Sequence, residues 1–340
     1  MHIHAEGHPI HSRALAVTLT QRGDGNLAVF GSLLDLRKRG FVPVGSELQG
    51  MGIIHHMEIH GVLGCQNLQW SELAATQPTV AFEASEATGG ESCRDIVEHV
   101  RALRGATLDE HFPATLRGQM GGPLGCSHVL TLLQFVAAAV PWAVQRLDDD
   151  VGGVAGFAPG ARLFRRDLII DGYERASGGL AVALQMADLW HTPGVLLRLP
   201  ADLLGRHDEL RLTIDLDGWP AVIAAARGAR RSRRRSEFGD AAWVQQDAVL
   251  AGLLGVSLGR GAGVLLTQKL SSEPGLRDAL LMLGPALIQC RAAFPDKWLA
   301  TVLATPRHPG LMGLLDSCYM WRRGGGLERV REKLLAEPSR

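Results

Sequence analysis

Two short stretches hold side chains that could do chemistry. In Gly125-Cys126-Ser127-His128 a thiol and an imidazole stand two residues apart, just ahead of an apolar run with helical spacing. Free N–H groups and the dipole at a helix N-terminus favour anions, so a thiolate there has a lowered pKa. The neighbouring imidazole could serve as its base or, protonated, as its electrostatic partner. The plainer account makes Cys126 a small buried apolar group and His128 a loop end. The second stretch is His55-His56-Met57-Glu58-Ile59-His60. In a strand, His56, Glu58 and His60 share one face, while His55, Met57 and Ile59 share the other. Two imidazoles and a carboxylate on one face suit a zinc or iron ion, or shared protons. A solvated polar face is the competing account.

A third group is looser. Arg13 stands two residues after His11 and could bind a carboxylate or orient an acidic partner such as Asp35. A structural salt bridge explains the same residues. The histidines at 2, 4 and 8 lie in a terminal tract of the kind that is often mobile. Six arginines fall within 227–235, but no aromatic or groove-reading context accompanies them, so a solvated loop is expected there.

These candidates sit in a chain that echoes itself. At an offset of 153, Arg13 stands above Arg166, Leu27-Ala28-Val29 above Leu180-Ala181-Val182, and Asp35-Leu36 above Asp188-Leu189. At an offset of 150, Leu103-Arg104-Gly105 stands above Leu253-Leu254-Gly255, and Gly125 above Gly275. A period of roughly 150 residues is a domain, not a solenoid unit. The reading is a tandem duplication: a first repeat over 1–150, a second over 160–300 and a helical extension over 301–340. Where the first repeat has Cys126, Ser127 and His128, the second has Leu276, Arg277 and Asp278. A site at these positions would survive in the first copy alone. The second copy of the histidine strand reads His207-Asp208-Glu209, which sets His207 beside His55.

Each repeat puts strands before helices. Ala14–Leu19 and Leu27–Leu34 flank the turn chemistry of residues 22–26 and predict a hairpin. Ile53–Leu63 predicts a strand, and residues 91–103 have helical spacing. Ser127 is placed to cap a helix from His128 to about Gln145. In the second repeat, Leu168–Ile170 and Leu180–Leu184 predict a hairpin and Leu210–Leu216 a strand. Trp243–Leu254 and Leu276–Ala293 predict helices, with residues 148–160 as linker. Leu327, Val330, Leu334 and Leu335 predict an amphipathic tail helix. The fold class is α+β: two related lobes, each a small antiparallel sheet with helices on one face, arranged as a pseudo-dimer.

Composition narrows the function classes. Net charge is zero with His neutral, so nothing global favours nucleic acid or an anionic membrane. Five cysteines at irregular spacings, with no CxxC pair, argue against a disulfide framework and for a reducing, cytoplasmic setting. The stretch Phe135–Val144 is too short to span a bilayer, and no nucleotide fingerprint is present.

Taken in order, His11-Ser12-Arg13, Arg22-Gly23-Asp24-Gly25, Gly31-Ser32-Leu33-Leu34-Asp35, His55-His56-Met57, Leu103-Arg104-Gly105 and Gly125-Cys126-Ser127-His128-Val129 resemble the bacterial domain of unknown function family 2889. The second repeat keeps Arg166, Asp188, His207-Asp208 and Leu254-Gly255 of the same pattern. The first repeat departs from it at His56, at Ser32 and at a missing Trp. The resemblance implies no established activity, only association with the degradation of aromatic or steroid-like compounds. The order Cys93, Leu103-Arg104-Gly105-Ala106-Thr107-Leu108, Cys126 is also similar to iron–sulfur scaffold proteins, with Cys65 as a further thiol.

The resulting expectation is a cofactor-independent isomerase, lyase or cyclase acting on a small apolar carbonyl or aromatic-derived substrate. It would use acid–base chemistry, with or without thiol assistance. Cys126, His128, His55, His56, Glu58 and His60 would move protons, and Arg13, His11 and Asp35 would bind substrate. A metal or iron–sulfur protein built on Cys65, Cys93, Cys126 and His128 is one alternative. A non-catalytic binding module is the other. Internal pairing of the lobes leaves room for a homo-oligomer.

Overall fold

The computed structural model describes residues 5–40, 42–44, 47–193, 204–218, 221–234, 239, 241–259, 261–293 and 315–336. Strands β1 (His8–Gln21) and β2 (Asn26–Arg37) form the first hairpin. Its turn is closed by the Asp24 carboxylate, which accepts from the Asn26 amide at 3.1 Å, and by Gly25 at a φ of 79°, a conformation that glycine adopts without a Cβ penalty. A two-stranded ribbon, β3 (Val42–Val44) and β4 (Glu47–Gln49), follows. Then come β5 (Gly52–Gly64) and β6 (Trp70–Thr79). The second half lays down β7 (Arg162–Glu174), β8 (Leu180–His191), β9 (Leu204–Asp217), β10 (Val222–Arg234) and the short β11 (Val244–Gln245).

All but the ribbon join one antiparallel sheet of nine strands, in the order β11-β10-β9-β8-β7-β1-β2-β5-β6. Two meanders therefore meet edge to edge through β1 and β7, giving one continuous sheet in place of two separate small ones. At that seam Leu15 lies opposite Leu168. In the first half Arg13 lies opposite Asp35, and in the second Arg166 lies opposite Asp188.

Strict alternation sends one face of the sheet into the core. Leu15, Val17, Leu19, Leu27, Val29, Leu33, Met57 and Ile59 are all buried. Against that face pack the 3-10 helix Cys93–Leu103, α1 (Phe112–Met120) and α2 (Ser127–Val151). They are joined by α3 (Asp247–Ala251), α4 (Ala262–Lys269), α5 (Pro274–Leu281) and α6 (Leu283–Ala292). Helix α2 lies across β1, β2 and β5, and α6 across β1 and β7. The segment Ser127–Asp150 is long and apolar enough to cross a membrane, but Val129, Leu132, Leu133, Val136, Val140 and Leu147 are buried in this core. Helix α7 (Gly326–Ala336) returns to the body with Leu327 fully buried.

Several expectations need correction. Helix α2 begins at Ser127, its N-cap is Cys126, and no side chain caps it. It also runs to Val151, which shortens the linker. Trp243–Leu254 is not one helix: Val244–Gln245 adds a strand to β10, and α3 covers only Asp247–Ala251. The ring of Trp243 lies between the guanidinium groups of Arg211 and Arg231, at 4.7 and 4.4 Å, and this draws the segment onto the sheet edge. Arginines 227 to 234 are in strand β10, not in a loop; Arg231 and Arg233 pair with Glu209 on β9. His2, His4 and Arg235 lie outside the described residues.

Candidate functional site

Asp35 is the centre of the site. It faces the helices from β2 and is fully buried. Arg13, opposite it on β1, grips it with two parallel hydrogen bonds, Nε to Oδ1 at 2.8 Å and Nη2 to Oδ2 at 2.7 Å. Three imidazoles complete the ring. His11 Nε2 lies 3.0 Å from Oδ1, His55 Nδ1 lies 3.3 Å from Oδ2 and His128 Nε2 lies 3.4 Å from Oδ2. His11 and Arg13 share a face of β1 because they are two residues apart. His55 comes from β5, directly opposite Asp35, beside a register shift that leaves Ile54 as an extra residue. Such a bulge re-aims the side chains next to it. His128 comes from the first turn of α2. Its ring stacks on that of His55, with centroids 3.7 Å apart and planes at 29°.

The protonation states follow from burial and one strong counter-charge. Burial alone would raise the Asp35 carboxyl, but the Arg13 charge, with hydrogen bonds from Arg13, His11 and His128, holds it well below the usual carboxylate range. Burial, and next the charge of His55, pushes His128 down to about 3, against the pull of Asp35. Burial likewise lowers His55. His128 is therefore a neutral imidazole at physiological pH. Its Nε2 faces both the Asp35 carboxylate and Gln289; in the tautomer whose Nε2–H donates to Asp35, Nδ1 keeps a lone pair. Nδ1 lies 3.9 Å from Cys126 Sγ. Gln289 of α6 sets its amide nitrogen 3.2 Å from Nε2.

The expected lowering of the thiol pKa is reversed. Burial pushes Cys126 up to about 11, even though the Val129 and His128 amides favour the thiolate. Cys126 is a neutral neighbour of His128 and not a standing nucleophile.

His55, Cys126 and His128 open onto one cavity of about 290 Å³. Its walls come from the start of α2, the 3-10 helix Cys93–Leu103, α6 and residues 317–331. The volume lies at the small end of the range for small-molecule sites. Sequence reasoning missed part of this wall. Arg37 lies two residues beyond Asp35 on the same strand face, so alternation alone could have found it. Gln289 and Cys318 carried no such signal, because they reach the cavity from far along the chain.

The other predicted residues are elsewhere. His56, Glu58 and His60 project from the opposite face of the sheet, where Glu58 lies 3.3 Å from His56 and 3.7 Å from His60. The strand's period of two separates them from His55 and from the cavity, so they do not share a site with Cys126 and His128. Arg13 is held by Asp35 in the core through Nε and Nη2, its Nη1 being buried without a hydrogen-bond partner, and Asp35 holds that arginine and the imidazoles. His11 is buried behind Asp35.

Among the described residues, Asp35, His55 and His128 are the one set whose donor atoms lie close enough to share a metal ion, all within 4.8 Å. Their surroundings fit a cation poorly. Arg13 occupies both carboxylate oxygens, and a divalent ion would sit against its buried guanidinium, where like charges repel strongly.

The second half offers a control on this arrangement. Arg166 grips Asp188 at 2.7 Å through both pairs of atoms, as Arg13 grips Asp35. In place of an imidazole, Asp278 of α5 approaches Arg166 at 3.2 Å. Asp188 faces Asp208 across β8 and β9, so Asp208, not His207, takes the ladder position that His55 has in the first half. Where His11 faces Arg37, Phe164 faces Trp190, both buried. The same strand positions can thus be filled without any imidazole or free cation.

Residues 11–141 match the family model described as Protein of unknown function (DUF2889). The matched span holds His11, Arg13, Asp35, Arg37, His55, Cys126 and His128, and ends inside α2. It excludes Gln289 and Cys318. No curated protein and no solved structure matches the chain.

Proposed function

We propose that the chain is a tandem duplicate arranged as a pseudo-dimer whose first half is a small-molecule enzyme using acid–base chemistry. The reaction class is isomerase, lyase or cyclase, and the substrate a small, largely apolar carbonyl compound. The observation that carries this reading is His128: a neutral imidazole, backed by an ionised buried carboxylate and open to a cavity with largely apolar walls. Its Nδ1 lone pair would take a proton from carbon beside a carbonyl, and Asp35 would stabilise the imidazolium so formed. The proton would then return to a neighbouring carbon or to the leaving group. The second half supports the reading from the other side, because it keeps the Arg–Asp pair and fills the remaining positions with Asp278, Phe164 and Trp190. The Arg–Asp pair is then common to both halves, and the imidazoles that turn it to proton transfer surround it in the first half alone. Five unpaired cysteines support a reducing, cytoplasmic setting.

Deuterium wash-in tests it. In D2O, the wild-type protein should speed loss of the α-proton NMR signals of a suitable member of a panel of apolar ketones and acids, and His128→Ala should abolish the gain. General-base contributions of this kind are worth about 100- to 10,000-fold. Equal rates with wild-type and His128→Ala protein would remove the assignment.

A metal-binding or iron–sulfur reading keeps one observation of its own. Cys93, Cys126 and Cys318 line the same cavity as His128, whereas Cys65 does not. Iron or zinc at about one per chain in the purified protein, lost in Cys318→Ala, would favour this reading over plain proton transfer.

A further inference from the structure

The cavity has a charge that its proton-transfer chemistry does not use. Among the described residues, three guanidinium groups, from Arg37, Arg291 and Arg331, reach its wall, and no Asp or Glu lines it. Arg37 is the most telling. It is 3% exposed. Its Nη1 donates to the backbone carbonyls of Gln49 at 3.0 Å and Gly50 at 3.4 Å, and its Nε is buried without a hydrogen-bond partner. No carboxylate among the described side chains lies within salt-bridge distance of it. Asp35, two residues away on the same strand face, acts on it through space but is already held by Arg13 in two hydrogen bonds. Two buried guanidinium groups thus share one carboxylate, and a ligand that brings a second negative charge offsets the cost of burying them. Packing does not demand a cation here, since Trp190 fills the matching strand position of the second half. The rest of the wall is largely apolar, with Phe82, Ile96, Ile288, Met320 and Trp321 among its members.

We infer that the cavity binds an organic carboxylate with an apolar body, and that Arg37 is the residue that takes the carboxylate. Arg13, the sequence candidate for that role, is held by Asp35. The Arg37 guanidinium offers a planar fork that matches a carboxylate in two hydrogen bonds. The apolar walls select the body of the ligand, and the polar end fixes which of its carbons faces His128. This rests on reading the cavity as the catalytic site, and it names the substrate class of that site.

The test is calorimetric titration of the full chain with phenylalkanoates and with straight-chain alkanoates of four to ten carbons, each paired with its neutral amide. At least one carboxylate should saturate the wild-type protein and outbind its amide by tenfold or more. Arg37→Gln should erase that preference by weakening the carboxylate about tenfold or more relative to its amide, and Arg37→Lys should keep a reduced preference. Equal binding of acid and amide by the wild-type protein, binding of neither across the series, or a preference that survives Arg37→Gln would overturn the inference. Should Arg37→Gln not fold, the wild-type acid-to-amide ratio and Arg37→Lys still decide. His128→Ala separates this from the catalytic reading, because it should retain the carboxylate preference. Carboxylate binding without proton exchange would sink the catalytic reading alone. Exchange on neutral ketones, with no carboxylate preference, would sink this inference alone.

Discussion

At the scale of single residues, the account turns on Asp35 being ionised and His128 being neutral. Asp35→Asn would leave the Arg13 guanidinium buried without its counter-charge. Breaking one side of such a pair costs about 3–5 kcal/mol, which urea denaturation should register. Acid should also find this site. Asp35 and His128 both titrate lower in the folded chain than their ordinary values, 3.8 and 6.5. The unfolded chain therefore takes up protons that the folded chain refuses, so the stability they contribute is complete above about pH 6.5 and falls as pH drops towards 3. Each such proton tilts the stability by about 1.4 kcal/mol per pH unit. His128→Asn should flatten the profile between pH 6.5 and pH 4 relative to wild type, and an unchanged slope would mean that His128 titrates normally. The sequence displayed every member of this cluster in the first half: Arg13 and Asp35 through their echo at 166 and 188, Cys126 and His128 through their place before a helix. It could not show that Arg13 and Asp35 satisfy each other, because that depends on strand register. Nor could it show that burial would outweigh the helix dipole at Cys126.

At the scale of elements, positioning depends on where strands bulge and where a helix starts. The shift beside Asp35 brings His55 opposite the carboxylate, while His56, Glu58 and His60 turn to the other face. The start of α2 is fixed by close packing at Gly125. A Cβ there would come 2.5 Å from the Met120 carbonyl oxygen, and backbone cannot yield as a flexible side chain does. Gly125→Ala should thus cost about 1–3 kcal/mol in thermal or urea denaturation, and it should slow proton exchange by displacing His128. A variant as stable and active as wild type would show that the α2 start tolerates movement. Hairpins and strands were legible here because hydrophobic alternation of period two is strong in β1, β2, β5 and β9. The stretch 243–254 was not, since its apolar spacing suits a helix while contacts with Arg211 and Arg231 hold its beginning on the sheet. The arginine run misled for a related reason: its carboxylate partner, Glu209, lies on another strand.

At the scale of the whole molecule, β1 and β7 make one sheet out of two meanders. Equivalent positions meet at the seam, where Leu15 faces Leu168, both buried. The two halves should therefore unfold together. Circular dichroism and tryptophan fluorescence should give coincident transitions, and Leu168→Ala should lower both by about 2–5 kcal/mol. Two separated transitions would mean that the halves are independent. The cavity also belongs to the whole, for α6 and residues 317–331 close over a cluster carried by the first half. The internal echo made the order of the two halves readable, but not this closure, which depends on long-range contacts that no local pattern encodes. The most direct measurement of the central claim is the rate of deuterium wash-in to apolar carbonyl compounds by four proteins: wild type, His128→Ala, Asp35→Asn and the double variant His56→Ala/His60→Ala. The account predicts exchange by wild type, loss in His128→Ala, a sharp reduction in Asp35→Asn and full retention in the double variant. Exchange that survives in His128→Ala, or that vanishes with His56 and His60, would contradict it.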